Sequence, residues 1–584
     1  MFIKDYKKFL KYFGKGYKLK LSIFTVLSVF AGLMEFLGIS LIYPFVVLVI
    51  KPDAIINKGI YIKFQTFTGI EDITINALIL GFFIMLLFIV KNIYMIYFNF
   101  LQNKLTFTWK MDIVNQFMKY FLYSNYQDSI KISQMNKSYL LKTICTEAIN
   151  VCSSKIILFG VNFIIVMMIV ALIFIKYPIA GISTAIFVLI GINLQNIKFK
   201  HKLAFLKNKI NEEKKVFNHI ISTNLSNIKE IKILSAEKKF YDTYCAEATK
   251  LNNMQIIQKF YNKIPQHLME IFVVFALIIF GGIICMENLH NQAHIIASFA
   301  LLATALLRLA PAMNRIQSAL IAIFSGETYV KSLLDYYEKF EMNKFNGIEN
   351  PEPLSFKDKI DMKNITFGYD NDNLVLNNIS LEIHKGDFIG IIGESGAGKT
   401  TLAEILTGLL PLKQGEIYID GKNLEDKDFS ELRKILCYVP QQTKFLKASI
   451  KENVAWGETT KKIDENKVIT ALQEAGLSDF ISEEPDGINL DISKKNLSSK
   501  QKQCLAIARA IYTNPKIILL DGVSSEFDTQ TETNLRKNRT VILISSKLSA
   551  LKTCNKIVYM KKGVIVDIGS FEELSEKYPD LSDK

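Results

Sequence analysis

The sequence lacks the close cysteine pairs that build structural zinc sites. Its seven cysteines are scattered along 584 residues, at Cys145, Cys152, Cys245, Cys285, Cys437, Cys504 and Cys554. This spacing excludes a metal site of the paired-cysteine type and predicts reduced thiols that face the cytosol or lipid. The sequence also lacks a cleavable signal peptide, because its first apolar run is too long for one. We expect that run to be a retained membrane span.

Acidic residues are in the minority. The chain has 70 Lys and Arg against 56 Asp and Glu, which gives a net charge of +14. A basic protein can bind nucleic acid, but here the basic residues flank apolar runs. The positive-inside rule explains this pattern more simply. Apolar spans have no place in a DNA-binding ATPase, so we expect no nucleic-acid partner.

Apolar runs dominate the first part of the chain. Half of all residues are hydrophobic, and the mean hydropathy is positive. Six runs can cross a bilayer; they lie near 21–50, 75–101, 156–175, 179–194, 268–286 and 295–324. The sequence therefore predicts an all-α transmembrane domain over residues 1–340, followed by a second domain of ordinary soluble composition over 341–584.

Basic, helical stretches separate some of these spans. They cover residues 102–155 and 195–267, and the first twenty residues are also rich in lysine. Six spans would place both termini and both basic stretches on the cytoplasmic side, in agreement with the positive-inside rule. We expect long helices that extend into the cytoplasm.

Three of the charged side chains within the predicted spans are candidate substrate contacts. A charge at membrane depth is costly and usually faces a bundle interior or a cavity. Glu35 is either such a group or a neutral, hydrogen-bonded packing residue. Arg308 and Arg315 are seven residues apart and share roughly one helix face. Arg308 would contact an anionic substrate group, such as a lipid-carrier phosphate, or pair with an acid such as Glu35. Arg315 would also contact such an anionic group, or it would extend its charged end to the inner membrane interface.

A glycine-rich stretch in the second domain matches the phosphate-loop pattern G-x-x-x-x-G-K-[ST]. Its residues are Gly393, Glu394, Ser395, Gly396, Ala397, Gly398, Lys399 and Thr400. The apolar run 388–392 predicts a buried strand before it, and 401–406 predicts a helix after it. Small residues let the backbone wrap a phosphate at the helix N-terminus. Lys399 would reach the outer phosphates, and the Thr400 hydroxyl would bind Mg²⁺.

Other segments predict an α/β fold around this loop. Residues 362–369 are typical of an edge strand, and Tyr369 at its end would stack on an adenine ring. Another strand ends just before Gln441. Residues 516–521 form a buried strand that ends in the carboxylate of Asp521.

These segments, in this order, resemble an ATP-binding cassette (ABC) transporter of the exporter type, with six spans and one P-loop nucleotide-binding domain on one chain. Residues 34–45 and 308–315 are similar to the PglK-like flippases of lipid-linked oligosaccharides. The resemblance implies a multi-pass protein of the bacterial inner (cytoplasmic) membrane, with ATP and Mg²⁺ as cofactors. It implies three partners: a second half-transporter, membrane lipid and a lipid-linked glycan substrate.

The resemblance also implies roles for individual residues. Tyr369 stacks on adenine, the loop 393–400 and Thr401 cradle the phosphates, and Gln441 and Asp521 join Thr400 around Mg²⁺. Two nucleotide-binding domains enclose two ATP molecules, and each signature loop covers the partner's nucleotide. The signature residues here are Leu497, Ser498, Ser499, Lys500 and Gln501.

The sequence departs from the family pattern at four places. Gly522 replaces the glutamate that activates water, and Ser546 replaces the switch histidine. Ser499 and Lys500 replace two signature glycines, where side chains should crowd a phosphate. The interval 528–540 is shorter by roughly one to two helical turns. Loss of the general base removes about 3–5 kcal/mol of barrier lowering, so we expect nucleotide binding without efficient hydrolysis.

Two functions are compatible with these features. The first is a dimeric, ATP-driven exporter or flippase, with a lipid-linked glycan as its substrate. The second is a non-hydrolysing or regulatory half of a heterodimeric transporter. The sequence leaves the substrate and the homo- or heterodimeric state open.

Overall fold

The chain folds into two separately packed units in a computed structural model. One unit comprises Met1–Leu122 and Ser133–Asn346, and the other comprises Tyr123–Ile132 and Gly347–Lys584. The structure describes residues 2–50, 72–124, 132–176, 178–287, 292–340, 354–369, 373–425, 428–522 and 529–579, with a few separate positions in 52–70, at 126 and 129, and at 342.

The first unit is helical in its described residues. Its helices are α1 (Phe2–Phe13), α2 (Lys18–Ser40), α3 (Ile42–Ile50), α4 (Ile73–Tyr123), α5 (Gln134–Tyr139), α6 (Cys145–Ile149), α7 (Ile156–Lys176), α8 (Pro178–Ser226), α9 (Ile228–Ile233), α10 (Glu237–Glu287) and α11 (Gln292–Lys339). Two π-helical segments, Leu140–Ile144 and Asn150–Lys155, flank α6. Four of these helices, α4, α8, α10 and α11, have 48 to 51 residues. Each continues well beyond its predicted apolar run. The helices therefore extend into the polar stretches, as expected.

The first predicted span is divided into two helices. Helix α2 ends at Ser40, and α3 begins at Ile42 with Pro44 in its first turn. Proline has no N–H to donate to Ser40, so the helical hydrogen bonding is interrupted there. Among the described residues, three helical stretches are long and apolar enough to cross a membrane: Lys18–Ile50, Ile73–Tyr123 and Gln134–Ile175.

Trp109 of α4 anchors the N-terminal helix. Its side chain is fully buried, and its indole Nε1 donates a hydrogen bond to the Phe13 carbonyl at 2.8 Å. The ring stacks on Tyr17, with centroids 4.7 Å apart. The amphipathic helix α1 is thereby fixed to the helical bundle by both packing and a buried hydrogen bond.

The second unit contains two sheets and a set of short helices. Its strands are β1 (Lys359–Phe367), β2 (Leu376–His384), β3 (Phe388–Gly393), β4 (Gln414–Ile419), β5 (Lys422–Asn423), β6 (Leu436–Val439), β7 (Ile517–Asp521), β8 (Thr540–Ser545), β9 (Lys556–Lys561) and β10 (Val564–Gly569). Its helices are α12 (Lys399–Leu406), α13 (Phe429–Leu432), α14 (Ile450–Val454), α15 (Glu465–Glu474), α16 (Ser478–Glu483), α17 (Ser499–Tyr512), α18 (Thr529–Arg536) and α19 (Phe571–Lys577).

The larger sheet has the order β10-β9-β3-β8-β7-β6, and the smaller has β2-β1-β4-β5. Strands β9, β3, β8, β7 and β6 pair in parallel, so their carboxyl ends meet at one edge, where ligands bind in α/β folds. The prediction of an edge strand at 362–369 is wrong, because β1 lies between β2 and β4. The backbone of β1 is paired with β2 on one side and with β4 on the other, so neither of its edges is free.

The segment Tyr123–Ile132 packs with the second unit although it follows α4 in the chain. Tyr126 of this segment is close enough to Tyr369 and Tyr438 to interact with them electrostatically. The second unit is therefore assembled from two separate parts of the chain.

We predict that Trp109→Ala lowers the free energy of unfolding by about 3–5 kcal/mol, because it opens a cavity beside α1. Trp109→Phe should lower the free energy of unfolding through its smaller volume. Loss of the hydrogen bond to Phe13 should lower it by about 1 kcal/mol more. Heat-induced loss of helical circular dichroism in detergent measures both. The control is Trp456→Phe, since Trp456 is 47% exposed; equal effects of the two Phe substitutions would contradict the prediction.

Candidate functional site

The phosphate loop connects β3 to α12 at the carboxyl edge of the larger sheet. All six residues of β3 are buried. Gly396 and Gly398 have φ angles of +82° and +97°, which residues with a side chain rarely adopt. A Cβ at Gly398 would also lie 2.7 Å from Leu376 Cδ2. The loop can therefore curl around a ligand only with glycine at these positions.

Lys399 lies over this loop. Its Nζ donates hydrogen bonds to the carbonyls of Gly393, at 2.7 Å, and Glu394, at 2.9 Å. Burial lowers the pKa of Lys399, while the charge of Asp521 opposes that shift. The ammonium is thus directed at the loop, where a phosphate can serve as its counter-ion.

Asp521 ends β7 at the same edge and is only 9% exposed. Its Oδ2 accepts a hydrogen bond from Thr400 Oγ1 at 2.8 Å. Tyr438 of β6 donates a second hydrogen bond to the same oxygen at 3.2 Å. The loop, the end of β7 and β6 therefore converge on one carboxylate.

This donor set fits Mg²⁺ bound together with a nucleotide. Mg²⁺ prefers oxygen ligands and is usually held by one or two protein oxygens plus phosphates. Thr400 and Asp521 supply a hydroxyl and a carboxylate. Within the described residues, His, Cys, Asp and Glu form no cluster of three or more that could hold a metal.

A cavity of about 330 Å³ lies between these groups. It brings together most of the predicted phosphate and metal residues; it is lined by Val375, Ser395, Gly396, Ala397, Gly398, Lys399, Thr400, Thr401, Gln441, Asp521, Gly522, Ile544, Ser545 and Ser546. Tyr369 is not among them. Its hydroxyl lies 3.4 Å from Thr401 Oγ1 and donates to Glu404 Oε2 at 3.4 Å, while 49% of the residue is exposed.

Comparison with known proteins agrees with this geometry. Residues 376–525 match the family model described as ABC transporter. A solved structure of a bacterial Atm1-family ABC exporter with ATP bound superposes with a TM-score of 0.74, covering 95% of this chain and 97% of that one at 20% sequence identity. The chain has the fold of an ABC exporter.

Curated relatives match between about a third and two thirds of the chain. The ATP-dependent lipid A-core flippase of Desulfotalea psychrophila is 29% identical over 65% of this chain and 67% of its own length. The α-hemolysin translocation ATP-binding protein HlyB of Escherichia coli O157:H7 is 38% identical over 38% of this chain and 33% of its own length. For HepA of Nostoc, the match is 36% identical and covers 38% of each chain. The chain thus spans about a third of the length of several relatives that it matches.

The predicted signature begins helix α17 in this exporter fold. Ser498 Oγ accepts a hydrogen bond from the Gln501 N–H, and Gln501 Oε1 accepts one from the Ser498 N–H. This capping box satisfies the helix N-terminus internally. Leu497 is buried, whereas Ser499 and Lys500 are exposed and line a second cavity of about 440 Å³.

Gly522 follows Asp521 with a φ angle of +75°. A Cβ at this position would lie 2.5 Å from Gln441 Cγ. Gln441 and Gly522 line both cavities. The Gln441 side chain therefore lies where a side chain of residue 522 would begin. Position 522 lacks a carboxylate, and Gln441 occupies the space for one. Ser546, at the histidine position, is exposed in the first cavity.

The predicted substrate residues lie in the first unit. The side chain of Glu35 is outside the described side chains. Arg308 of α11 is partly buried, and its guanidinium carbon lies 5.4 Å from the centroid of the Phe88 ring. Arg315 is exposed, so the structure does not place the two arginines in equivalent surroundings.

Sequence reasoning missed Lys91, which lies next to the same ring. Lys91 is only 4% exposed, and its Nζ is 5.3 Å from the Phe88 centroid. The sequence does show one lysine within the apolar run 75–101, and this isolated charge could have identified Lys91 as a candidate site residue. Tyr438 and Glu404 were also missed, and there the sequence gives no comparable indication, because their positions depend on how the strands and α12 pack.

We predict that Gly522→Ala weakens ATP binding, since its Cβ displaces Gln441. The backbone strain of a side chain at positive φ should cost about 1–2 kcal/mol. Gly421→Ala is the matched control: Gly421 has a φ of +82°, and a Cβ there meets nothing within 4 Å. Both variants should lose stability in thermal unfolding, but only Gly522→Ala should raise the Kd for ATP in equilibrium binding. Equal affinities would contradict this account of Gln441.

Proposed function

We propose that this chain is one half of a dimeric membrane transporter that couples ATP to the export or flipping of a lipid-linked anionic substrate. The observation that carries the proposal is the convergence of the phosphate loop, Thr400 and Asp521 in a chain with an exporter fold. The lipid A-core flippase and the toxin-translocating relatives favour export as the direction.

The nucleotide site would hold ATP with Mg²⁺. The backbone of the loop 393–400 and the N-terminus of α12 receive the phosphates, and Lys399 neutralises their charge. Thr400 and Asp521 provide the oxygens for Mg²⁺, and Gln441 lines the same cavity. Tyr369 is the proposed adenine contact. Mg²⁺, when bound, neutralises the charge of the phosphate oxygens.

Hydrolysis by this site is expected to be slow. Neither Gly522 nor Ser546 can act as a general base, and a positioned base contributes about 10²- to 10⁴-fold to a rate. The contact between Gln441 and position 522 favours a second candidate: a nucleotide-binding, non-hydrolysing half of a heterodimer. In that assembly, a complete partner chain would supply the missing groups at one of the two sites.

The first unit suggests the chemistry of the substrate. Lys91 and Arg308 both lie about 5 Å from the Phe88 ring, on helices with long apolar runs. A phosphate or diphosphate group on a lipid carrier would attract both cations. The apolar runs of these helices would suit its lipid chain.

We expect Lys399→Ala to abolish ATP binding, because it removes the cation of the phosphate loop. Photolabelling with an azido-ATP analogue in purified, reconstituted protein measures this. Lys461→Ala, a change at an exposed lysine of the same unit, should leave labelling unchanged. Retained labelling in Lys399→Ala would refute the site.

Steady-state ATPase activity in lipid separates the two candidates. We expect the wild-type rate to lie close to that of Lys399→Ala if the chain is a non-hydrolysing half. A rate well above that control identifies a working homodimer. Gly522→Glu combined with Ser546→His should not restore full activity, because the new side chain at position 522 meets Gln441.

We predict that Lys91→Ala and Arg308→Ala each weaken binding of a short-chain polyprenyl diphosphate by about tenfold, since each removes one charge-assisted contact. The uncharged polyprenyl alcohol should bind all variants alike. Lys239→Ala, at an exposed position of α10, is the control. If the two variants bind the diphosphate as wild type does, the anionic substrate site is wrong.

A further inference from the structure

Asp521 receives hydrogen bonds from two sides. Thr400, at the start of α12, and Tyr438, on β6, both donate to Oδ2, at 2.8 and 3.2 Å. Thr400 belongs to the phosphate-loop motif, so its position is explained by that motif. The hydroxyl of Tyr438 belongs to no motif of the nucleotide site, and its place beside the carboxylate needs another explanation.

The strand register brings Tyr438 to this position. In the parallel pair of β6 and β7, Tyr438 lies opposite Leu519 and Val439 lies opposite Leu520. Side chains alternate between the two faces of a strand, so Asp521 points to the same face as Leu519 and Tyr438. The tyrosine ring extends along this face until its hydroxyl reaches the carboxylate two residues further on.

The Tyr438 hydroxyl donates this hydrogen bond to a carboxylate oxygen. A bond between a hydroxyl and a carboxylate is charge-assisted, and it is stronger than one between neutral groups. The ring itself packs against the core beneath the sheet, which limits the positions of the hydroxyl.

We propose that Tyr438 is a positioning residue for the Mg²⁺ of the bound nucleotide. It acts through Asp521: with Oδ2 held by Tyr438, the carboxylate keeps the orientation in which it accepts the proton of Thr400. The Thr400 oxygen would then stay in the position from which it can bind Mg²⁺. This inference rests on the proposed nucleotide site and adds a residue that contacts neither metal nor nucleotide.

The effect matters more in this chain than in one with a complete site. Gly522 supplies no side chain beside Asp521, and Ser546 replaces the larger group at the far end of the cavity. Fewer polar side chains therefore hold the end of the site that receives the outer phosphates. The pair of Thr400 and Asp521 is the main fixed element there, and Tyr438 fixes Asp521.

The test uses the full-length protein in detergent and Tyr438→Phe, which removes only the hydroxyl. ATP affinity is measured with Mg²⁺ and with EDTA, and Mn²⁺ affinity is measured by electron paramagnetic resonance in the presence of ATP. We expect Tyr438→Phe to bind Mn²⁺·ATP about tenfold more weakly, to give a broadened Mn²⁺ spectrum, and to bind metal-free ATP as wild type does. Tyr418→Phe, which removes a hydroxyl bonded to Glu416 in the other sheet, should change neither affinity.

The possible outcomes are distinct. Equal loss of affinity with metal and with EDTA would show that Tyr438 only stabilises the fold, and unchanged Mn²⁺ affinity would show that its bond to Asp521 has no role; either result overturns the inference while leaving the nucleotide site intact. Failure of the wild-type protein to bind ATP at all would overturn both the proposed function and this inference.

Discussion

The hydrogen bond from Thr400 to Asp521 is the contact on which the nucleotide site depends. It joins the first turn of α12 to the end of β7, although β8 lies between β7 and β3 in the sheet. A carboxylate as buried as Asp521 is costly unless donors surround it. Two hydroxyls meet that requirement, and the same arrangement leaves the open side of the cavity to phosphate and metal.

Position 522 determines what this site can do with a bound nucleotide. A missing glutamate would by itself leave a gap that a substitution could fill. Instead, the backbone there has a left-handed φ angle and Gln441 lies across it. A side chain at this position would therefore require Gln441 to move. This requirement supports the proposed non-hydrolysing role.

Local sequence pattern was sufficient for some features and not for others. The phosphate loop, its flanking strand and helix, and the strand ending at Asp521 all follow from short-range pattern, because each is set by neighbouring residues. The inner position of β1 does not, since strand order depends on distant segments. The contact between Gln441 and Gly522, and the bond from Tyr438, arise only when separate strands meet at one edge. The capping box of Ser498 and Gln501 was not predicted, although Ser followed by Gln three residues later is its sequence signature.

The second unit contains residues from two separate parts of the chain, and this affects the order in which the protein folds. Tyr123–Ile132 leaves the ribosome long before Gly347 does, and yet it packs with the residues that follow Gly347. Domains generally fold as units during synthesis, beginning at the N-terminus. The residues from Gly347 onward therefore pack with a segment that was synthesised earlier, between two helical stretches long and apolar enough to cross a membrane. A fragment that begins at Gly347 would lack this segment, Tyr126 included.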